Sequence, residues 1–453
     1  EYYSATRQEG SAVRQRVRCW ASVLFAAAVT VTPWADAATF RVGCAQRDIT
    51  PAKPVPMWGY GARHSLLSQG VRDPLYAKAV VIDVGREKLA IVGMDLGRGP
   101  RTDMMERIRS AVRSSPGVGF VMIAGSHTHS GPVIELRDKP GEGKGVYDDA
   151  IAYTMDLEKK LIDVIREAAG TARDARIGWG SAKIQRNRNR HSKIEPKPVD
   201  PELSVVRFDD LAGRPIAVVV NFAAHPTMLS AMDLRFSAEY PGQMRNEVER
   251  VLGAPCVFMQ GAAGDLSVRA TPETQGIEAF GKALAGDALA IAKGIETRVP
   301  KRPGIQGMDE TFTVQTRLDL HNPVLQVLFR QAFFPELAAA FVSNDIEKTT
   351  IRPQLTTVLI NGELALVGAS GEFFAEHANR LKARSRAAKT LFFGYCNGHH
   401  MYFPTIEAAA EGGYGADPKV SWVAVGTGEQ MMDKALINLY TMMGKFTSNL
   451  LGL

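Results

Sequence analysis

Cysteine is scarce: four residues in a chain of 453. One, Cys19, falls in an N-terminal apolar segment. Cys44, Cys256 and Cys396 remain, an odd number whose spacings fit no zinc-finger pattern. Disulfides therefore do not hold this protein together, and Cys256, inside Ala254-Pro255-Cys256-Val257-Phe258-Met259, reads as a core residue. The chain has no low-complexity tract, no internal repeat and no long run of one charge. Its 54 Lys and Arg against 48 Asp and Glu leave a net charge of +6, mild for this length, which makes no electrostatic case for nucleic acid. Beyond the N-terminal segment no apolar run is long enough to span a membrane.

That segment has a pattern of its own. Arg14, Arg16 and Arg18 precede an apolar run from Trp20 to Val31, which ends at Ala35-Asp36-Ala37, a small-x-small cleavage pattern before Ala38. The pattern predicts a secretory signal peptide over residues 1–37, with a plain N-terminal helix as the alternative. The expected location is secreted or periplasmic, and residues 38–453 are expected to form the catalytic domain.

Strand-like and helix-like segments then alternate, which predicts an α/β class. Expected strands are Ala79–Val84, Leu89–Gly93, Gly119–Ala124, Ile216–Phe222, Pro255–Gln260, Thr356–Ile360, Leu364–Val367 and Leu391–Phe393. Asn361-Gly362 between two of them signals a type I′ hairpin, so the sheets must be mixed. Expected helices are Thr102–Ser114, Tyr153–Ala169, Pro241–Leu252, Ile277–Gly294, Pro323–Val342, Glu372–Ala383 and Glu429–Phe446. The polar stretch Gln185–Glu202 reads as a long loop of the kind that often carries function.

The polar residues at the strand ends carry the chemistry. Gly119–Ala124 runs into Gly125-Ser126-His127-Thr128-His129-Ser130-Gly131-Pro132, and strand periodicity would put His127 and His129 on one face. Ile216–Phe222 runs into His225, and Pro255–Gln260 into Gly264-Asp265-Leu266-Ser267. Leu364–Val367 runs into Glu372, at an expected helix start, and Leu391–Phe393 runs into His399, His400 and Tyr402. In open α/β sheets ligands bind beyond the carboxyl ends of the strands. A histidine pair, a third histidine and a carboxylate make a plausible set of zinc ligands. Each alone has a plainer reading: a hydrogen-bonding histidine, a carboxylate at a helix dipole, an N-cap serine.

In these blocks the chain resembles the neutral/alkaline, non-lysosomal ceramidase family. Asp48-Ile49-Thr50-Pro51 with Met57-Trp58-Gly59-Tyr60-Gly61 matches its opening block, and Ser126–Pro132 its most specific signature. Asn221-Phe222-Ala223-Ala224-His225-Pro226-Thr227, Gln260–Ser267, Gly371-Glu372-Phe373 and Met401-Tyr402-Phe403-Pro404-Thr405 follow in order. The resemblance implies one zinc ion per chain held by His127, His225, Glu372 and Tyr402. It implies His129, Arg188 and Tyr414 lining the site, with Ser267 as an anchor for a substrate hydroxyl or water. Arg186, Arg188 and Arg190 all fit the arginine position; Asn187-Arg188 fits best and Asn189-Arg190 second. Zinc-activated water would then cleave an N-acyl amide, ceramide-like or other, or an ester. Peripheral contact with a membrane would be compatible with such a substrate.

Departures qualify the substrate. Val268-Arg269 stands where the family has Pro-Asn, and Ser237-Ala238-Glu239-Tyr240-Pro241-Gly242 replaces a serine-aspartate-asparagine block. The chain ends soon after Glu429–Phe446, so the family's C-terminal β-sandwich is expected to be absent. The aromatic stretch Val324–Phe341, with Leu328, Phe329, Phe333 and Phe334, reads as a core helix or as an acyl-chain surface. Two rivals remain: an esterase or serine-type hydrolase using Ser267, which lacks the G-x-S-x-G elbow, and a non-catalytic zinc-binding protein.

Overall fold

The computed structural model describes residues 39–347 and 349–446; the expected signal peptide lies outside them. Eight strands form the larger sheet: β1 (Arg41–Asp48), β2 (Tyr76–Asp83), β3 (Lys88–Met94), β4 (Phe120–Gly125), β5 (Arg173–Lys183), β6 (Glu202–Asp210), β7 (Pro215–Phe222) and β8 (Cys256–Gln260). Their order is β8-β7-β6-β5-β1-β2-β3-β4. The pairs β7/β8 and β3/β4 are parallel and the others antiparallel. A second sheet has the order β9-β10-β11-β12, from Ile305–Thr311, Gln354–Ile360, Leu364–Ala369 and Lys389–Phe393. Here only β11/β12 is parallel. At the β10–β11 hairpin Asn361 and Gly362 have φ of 55° and 71°, the two left-handed residues a type I′ turn requires.

The strands read as unbroken apolar runs because both faces are buried. Along β2, Ala77, Ala79 and Val81 face one core, while Val80 and Ile82 face another. β3 divides the same way, Ala90 and Val92 against Leu89 and Ile91. The second core also holds Leu364 and Leu366 of β11, so the two sheets pack face to face. Helices α1 (Thr102–Ser114), α2 (Asp148–Gly170), α3 (Glu239–Leu252) and α4 (Ile277–Gly294) cover the larger sheet. Two further helices, α5 (Pro323–Ala332) and α6 (Pro335–Asp345), precede α7 (Ala375–Arg384) and α8 (Thr427–Met442), which pack on the smaller sheet. The architecture is α/β, with mixed sheets flanked by helices. No described helix is long and apolar enough to cross a membrane.

Three expectations need correction. The helix expected over Pro323–Val342 is two helices, because Pro335 has no N–H to continue the ladder and Phe333 turns extended. Glu372 is not in the first turn of a helix; it lies in a two-residue strand, Glu372–Phe373, paired in parallel with Tyr402–Phe403. β1, β5, β6 and β9 were not expected as strands. β5 reads Arg-Asp-Ala-Arg-Ile-Gly-Trp-Gly-Ser-Ala-Lys, too polar and glycine-rich to signal one. Within the long loop, Asn187–Asn189 forms a short strand against Leu266–Val268.

The topology gathers the ends of β4, β7, β8, β11 and β12. β8 packs across β3, next to the opposite edge of its sheet, where a Cβ on Gly93 would fall 2.4 Å from the Phe258 carbonyl oxygen. Beyond β12, Asn397 ties the two sheets together: its side chain accepts from Ile123 N–H at 2.9 Å and donates to Val121 at 2.8 Å.

Candidate metal centre

His127 is not placed by strand alternation. β4 ends at Gly125, and His127 takes a left-handed conformation, φ 68°, with its N–H donating to the Leu96 carbonyl. Its Nδ1 meets the Gly97 carbonyl oxygen at 2.6 Å, so Nδ1 carries the proton and Nε2 a lone pair. His225, beyond β7, is held the same way: its backbone bridges Ser267 and its Nδ1 donates to the Ala263 carbonyl at 2.6 Å. The Nε2 atoms of these two rings are 3.0 Å apart. Glu372 Oε2 lies 3.3 Å from the first and 3.2 Å from the second. All three side chains are buried.

Two lone pairs and a carboxylate oxygen at this spacing repel one another unless a cation lies between them. A tetrahedral ion with ligand bonds of about 2.0–2.1 Å puts its ligands about 3.3 Å apart. The observed 3.0–3.3 Å fits that requirement. Imidazole and carboxylate together suit zinc, and Nδ1–H bonds to carbonyls are the usual outer support of such ligands. Glu372 Oε2 has no hydrogen-bond donor of its own.

The other expected residues separate into two groups. His129 joins the cluster, its Nε2 3.3 Å from that of His127 and its Nδ1 without a partner. Tyr402, beside Glu372 in the strand pair, brings its hydroxyl within 3.1 Å of Arg190 Nη2. Tyr414 is 66% exposed, its ring 5.6 Å from that of Tyr402. Arg188, by contrast, points to solvent and Arg190 into the site. The ladder with Leu266–Val268 ends at Asn189, so the chain turns there and Arg190 Nη2 reaches His225 Nε2 at 2.9 Å and the Gly264 carbonyl at 3.0 Å. Arg186 instead pairs with Asp287. Ser267 stands next to His225 only through the backbone; its hydroxyl bonds no histidine or carboxylate among the described residues.

Burial governs the electrostatics. It pushes the His225 imidazole down to about 3, helped by the Arg190 charge, and lowers His129 well below its usual value. Burial would raise Glu372, but the surrounding imidazoles, His127 foremost, outweigh it and hold the carboxyl well below its usual range. Burial raises the Tyr402 phenol well above 10, so it is neutral.

Three residues at the site went without a role in the sequence. Tyr395 stacks on His127, centroids 4.1 Å apart. Trp58 lies edge-on to His127, His129 and His399, with Nε1 donating to Glu135 at 2.7 Å. His399 approaches Glu372 Oε1. Of these, only the His399-His400 pair after a strand was a signal of metal chemistry. The cluster opens into a cavity of about 590 Å³ lined by Trp58, Tyr60, His129, Glu372, Tyr402 and Tyr414, and by Leu325, Leu328, Phe329, Phe333, Phe334, Leu337 and Phe341 of the α5–α6 segment.

Two solved structures share this fold. A crystal structure of the neutral ceramidase of Pseudomonas aeruginosa superposes with a TM-score of 0.72 at 20% identity, covering 91% of this chain and 76% of that one. A ceramidase complexed with C2 gives 0.70 at 20% identity, covering 90% and 76%. In sequence, an alignment of 271 positions that covers 53% of this chain is 26% identical to the P. aeruginosa neutral ceramidase and spans 38% of that protein's length. The profile described as "Neutral/alkaline non-lysosomal ceramidase, N-terminal" matches residues 40–288, more than half of the chain. The chain belongs to the neutral/alkaline non-lysosomal ceramidase family.

Proposed function

We propose that this protein is a zinc-dependent amidohydrolase that cleaves the amide bond of an N-acyl substrate, ceramide-like in its acyl chain and neighbouring hydroxyls. The observation that carries this reading is the meeting of two imidazole lone pairs and a carboxylate oxygen, 3.0–3.3 Å apart, where a large apolar cavity ends. His127, His225 and Glu372 would hold the ion, with the neutral Tyr402 hydroxyl as a weak fourth ligand. Bound there, zinc supplies a Lewis acid for the amide carbonyl and brings the pKa of a coordinated water to about 7.

The chain's own residues do the rest. The acyl chain lies along Leu325, Leu328, Phe333 and Phe334, where each methylene removed from water contributes about 0.8 kcal/mol. The amide carbonyl meets Arg190, whose permanent charge and Nη2 donor suit the oxygen that becomes negative as the carbonyl is attacked. His129, neutral at pH 7 because burial depresses its pKa, accepts a proton from the attacking water and returns it to the leaving nitrogen. Ser267 is no nucleophile in this scheme, since no base adjoins its hydroxyl; it remains a candidate anchor for a substrate hydroxyl. The N-terminal sequence supports an exported enzyme.

The decisive experiment is a panel of N-acyl amides and matched esters assayed with purified protein before chelation, after it, and after zinc is restored. Amide cleavage that disappears with the metal and returns with it is the expected result. Activity that survives metal removal but is lost to a serine-reactive probe overturns the reading.

A further inference from the structure

Glu372 has two carboxylate oxygens, and only Oε2 faces His127 and His225. The other, Oε1, belongs to the same buried side chain, and a buried carboxylate oxygen without a donor costs several kcal/mol. Its neighbour is His399, whose Nε2 lies 3.2 Å away and whose ring is fully enclosed. A lone pair on that nitrogen would face a negative oxygen, so the stable tautomer carries its proton on Nε2 and donates to Oε1. The other nitrogen, Nδ1, has no partner to compete for the proton.

His399 is itself firmly held. Arg98 Nη2 donates to its backbone carbonyl at 3.2 Å, and Arg98 Nη1 reaches Glu135 Oε1 at 3.2 Å. Glu135 Oε1 also accepts the Trp58 indole N–H, and the Trp58 ring stands edge-on to His399 with centroids 5.7 Å apart.

We propose that His399 is a positioning residue: by donating to Glu372 Oε1 it fixes the carboxylate so that Oε2 is presented, with His127 and His225, to a single zinc ion. The inference rests on the zinc reading above. Outer partners of this kind typically change metal affinity by 10–100-fold when removed.

The test is zinc affinity and stoichiometry by competition with a chromophoric chelator, for the wild-type protein, His399→Phe and His399→Gln. His399→Phe, which keeps the bulk but has no donor, is expected to weaken zinc binding about 10–100-fold. His399→Gln, whose amide N–H replaces Nε2–H, is expected to restore it to within about threefold of wild type. Histidine ¹⁵N NMR of the unsubstituted, zinc-loaded protein should show the Nε2–H tautomer for His399, and this holds even if a variant fails to fold. Unchanged affinity in His399→Phe, or an Nδ1–H tautomer, overturns the inference and leaves the zinc site standing. Two zinc ions per chain falling to one in His399→Phe overturns it in favour of direct ligation. A wild-type protein that binds no zinc overturns both readings.

Discussion

At the scale of single residues, one unusual backbone conformation places the first histidine of the cluster. A left-handed φ of 68° at His127 costs about 1–3 kcal/mol, and the fold sustains it through the bonds to Leu96 and Gly97. Tyr395, Asn397 and Met401 around it are left-handed too, so local strain is concentrated at the site. Two predictions belong here. His225→Ala removes one of two converging lone pairs and should lose most of the bound zinc, measured by elemental analysis; full retention would count against the ligand assignment. Arg190→Ala should lower kcat/KM about 10²–10³-fold while zinc content stays near wild type. As a control, Arg188→Ala, two residues away and facing solvent, should behave as wild type in the same assay.

Elements decide what reaches the cluster. The paired strands Glu372–Phe373 and Tyr402–Phe403 set a carboxylate and a phenol side by side, and Gly264 permits this, since a Cβ there would lie 2.5 Å from the Glu372 carbonyl oxygen. The break at Pro335 folds α5 and α6 against each other so that their apolar residues line the cavity rather than a single core helix. Within Val324–Phe341, Phe334 and Phe341 are buried as in a core helix, while Leu328 is 52% exposed beside the cavity. Leu325→Trp, which fills part of that space, should raise KM for long N-acyl chains about tenfold or more and leave short ones nearly unchanged. An equal effect on both lengths would place the acyl chain elsewhere.

At the scale of the whole molecule, the buried histidines make stability depend on pH. His225 and His399 are pushed down by burial to about 3 and about 4, and His129 and His377 are lowered as well. Below the unfolded value of about 6.5 the unfolded chain binds protons that these rings refuse, so stability falls as pH drops. Glu239 and Asp265, both raised to about 7 by burial, act in the opposite sense. With Asp73, which burial also raises, four histidines against three acids leave a net loss on acidification. The melting temperature of the metal-free protein should therefore fall between pH 7 and pH 5; a flat or rising profile would contradict the assignment. On the proposed reading zinc binds only the folded site, so zinc at a thousandfold its Kd should add about 4 kcal/mol of stability, read as a higher melting temperature that a chelator reverses.

Most of this was legible along the chain. The apolar runs of β2, β3, β4, β7, β8, β10, β11 and β12 declare themselves because both faces are buried, and Asn361-Gly362 declares its own turn. His127, His129, His225 and Glu372 are recognisable because ligand-type residues recur just past strand ends. β5, polar and glycine-rich, does not announce itself; its neighbours in the sheet make it a strand. Which arginine faces the cluster depends on where a three-residue ladder ends, and Glu372 became a strand residue because Tyr402 lies alongside it. His399 acquires a partner only when the loop after β12 folds back onto the strand pair. Residue type and local pattern specify which groups exist and which segments are buried. Their mutual distances, and so their chemistry, depend on contacts between segments far apart along the chain, 98 residues for His127 and His225, which no local pattern encodes.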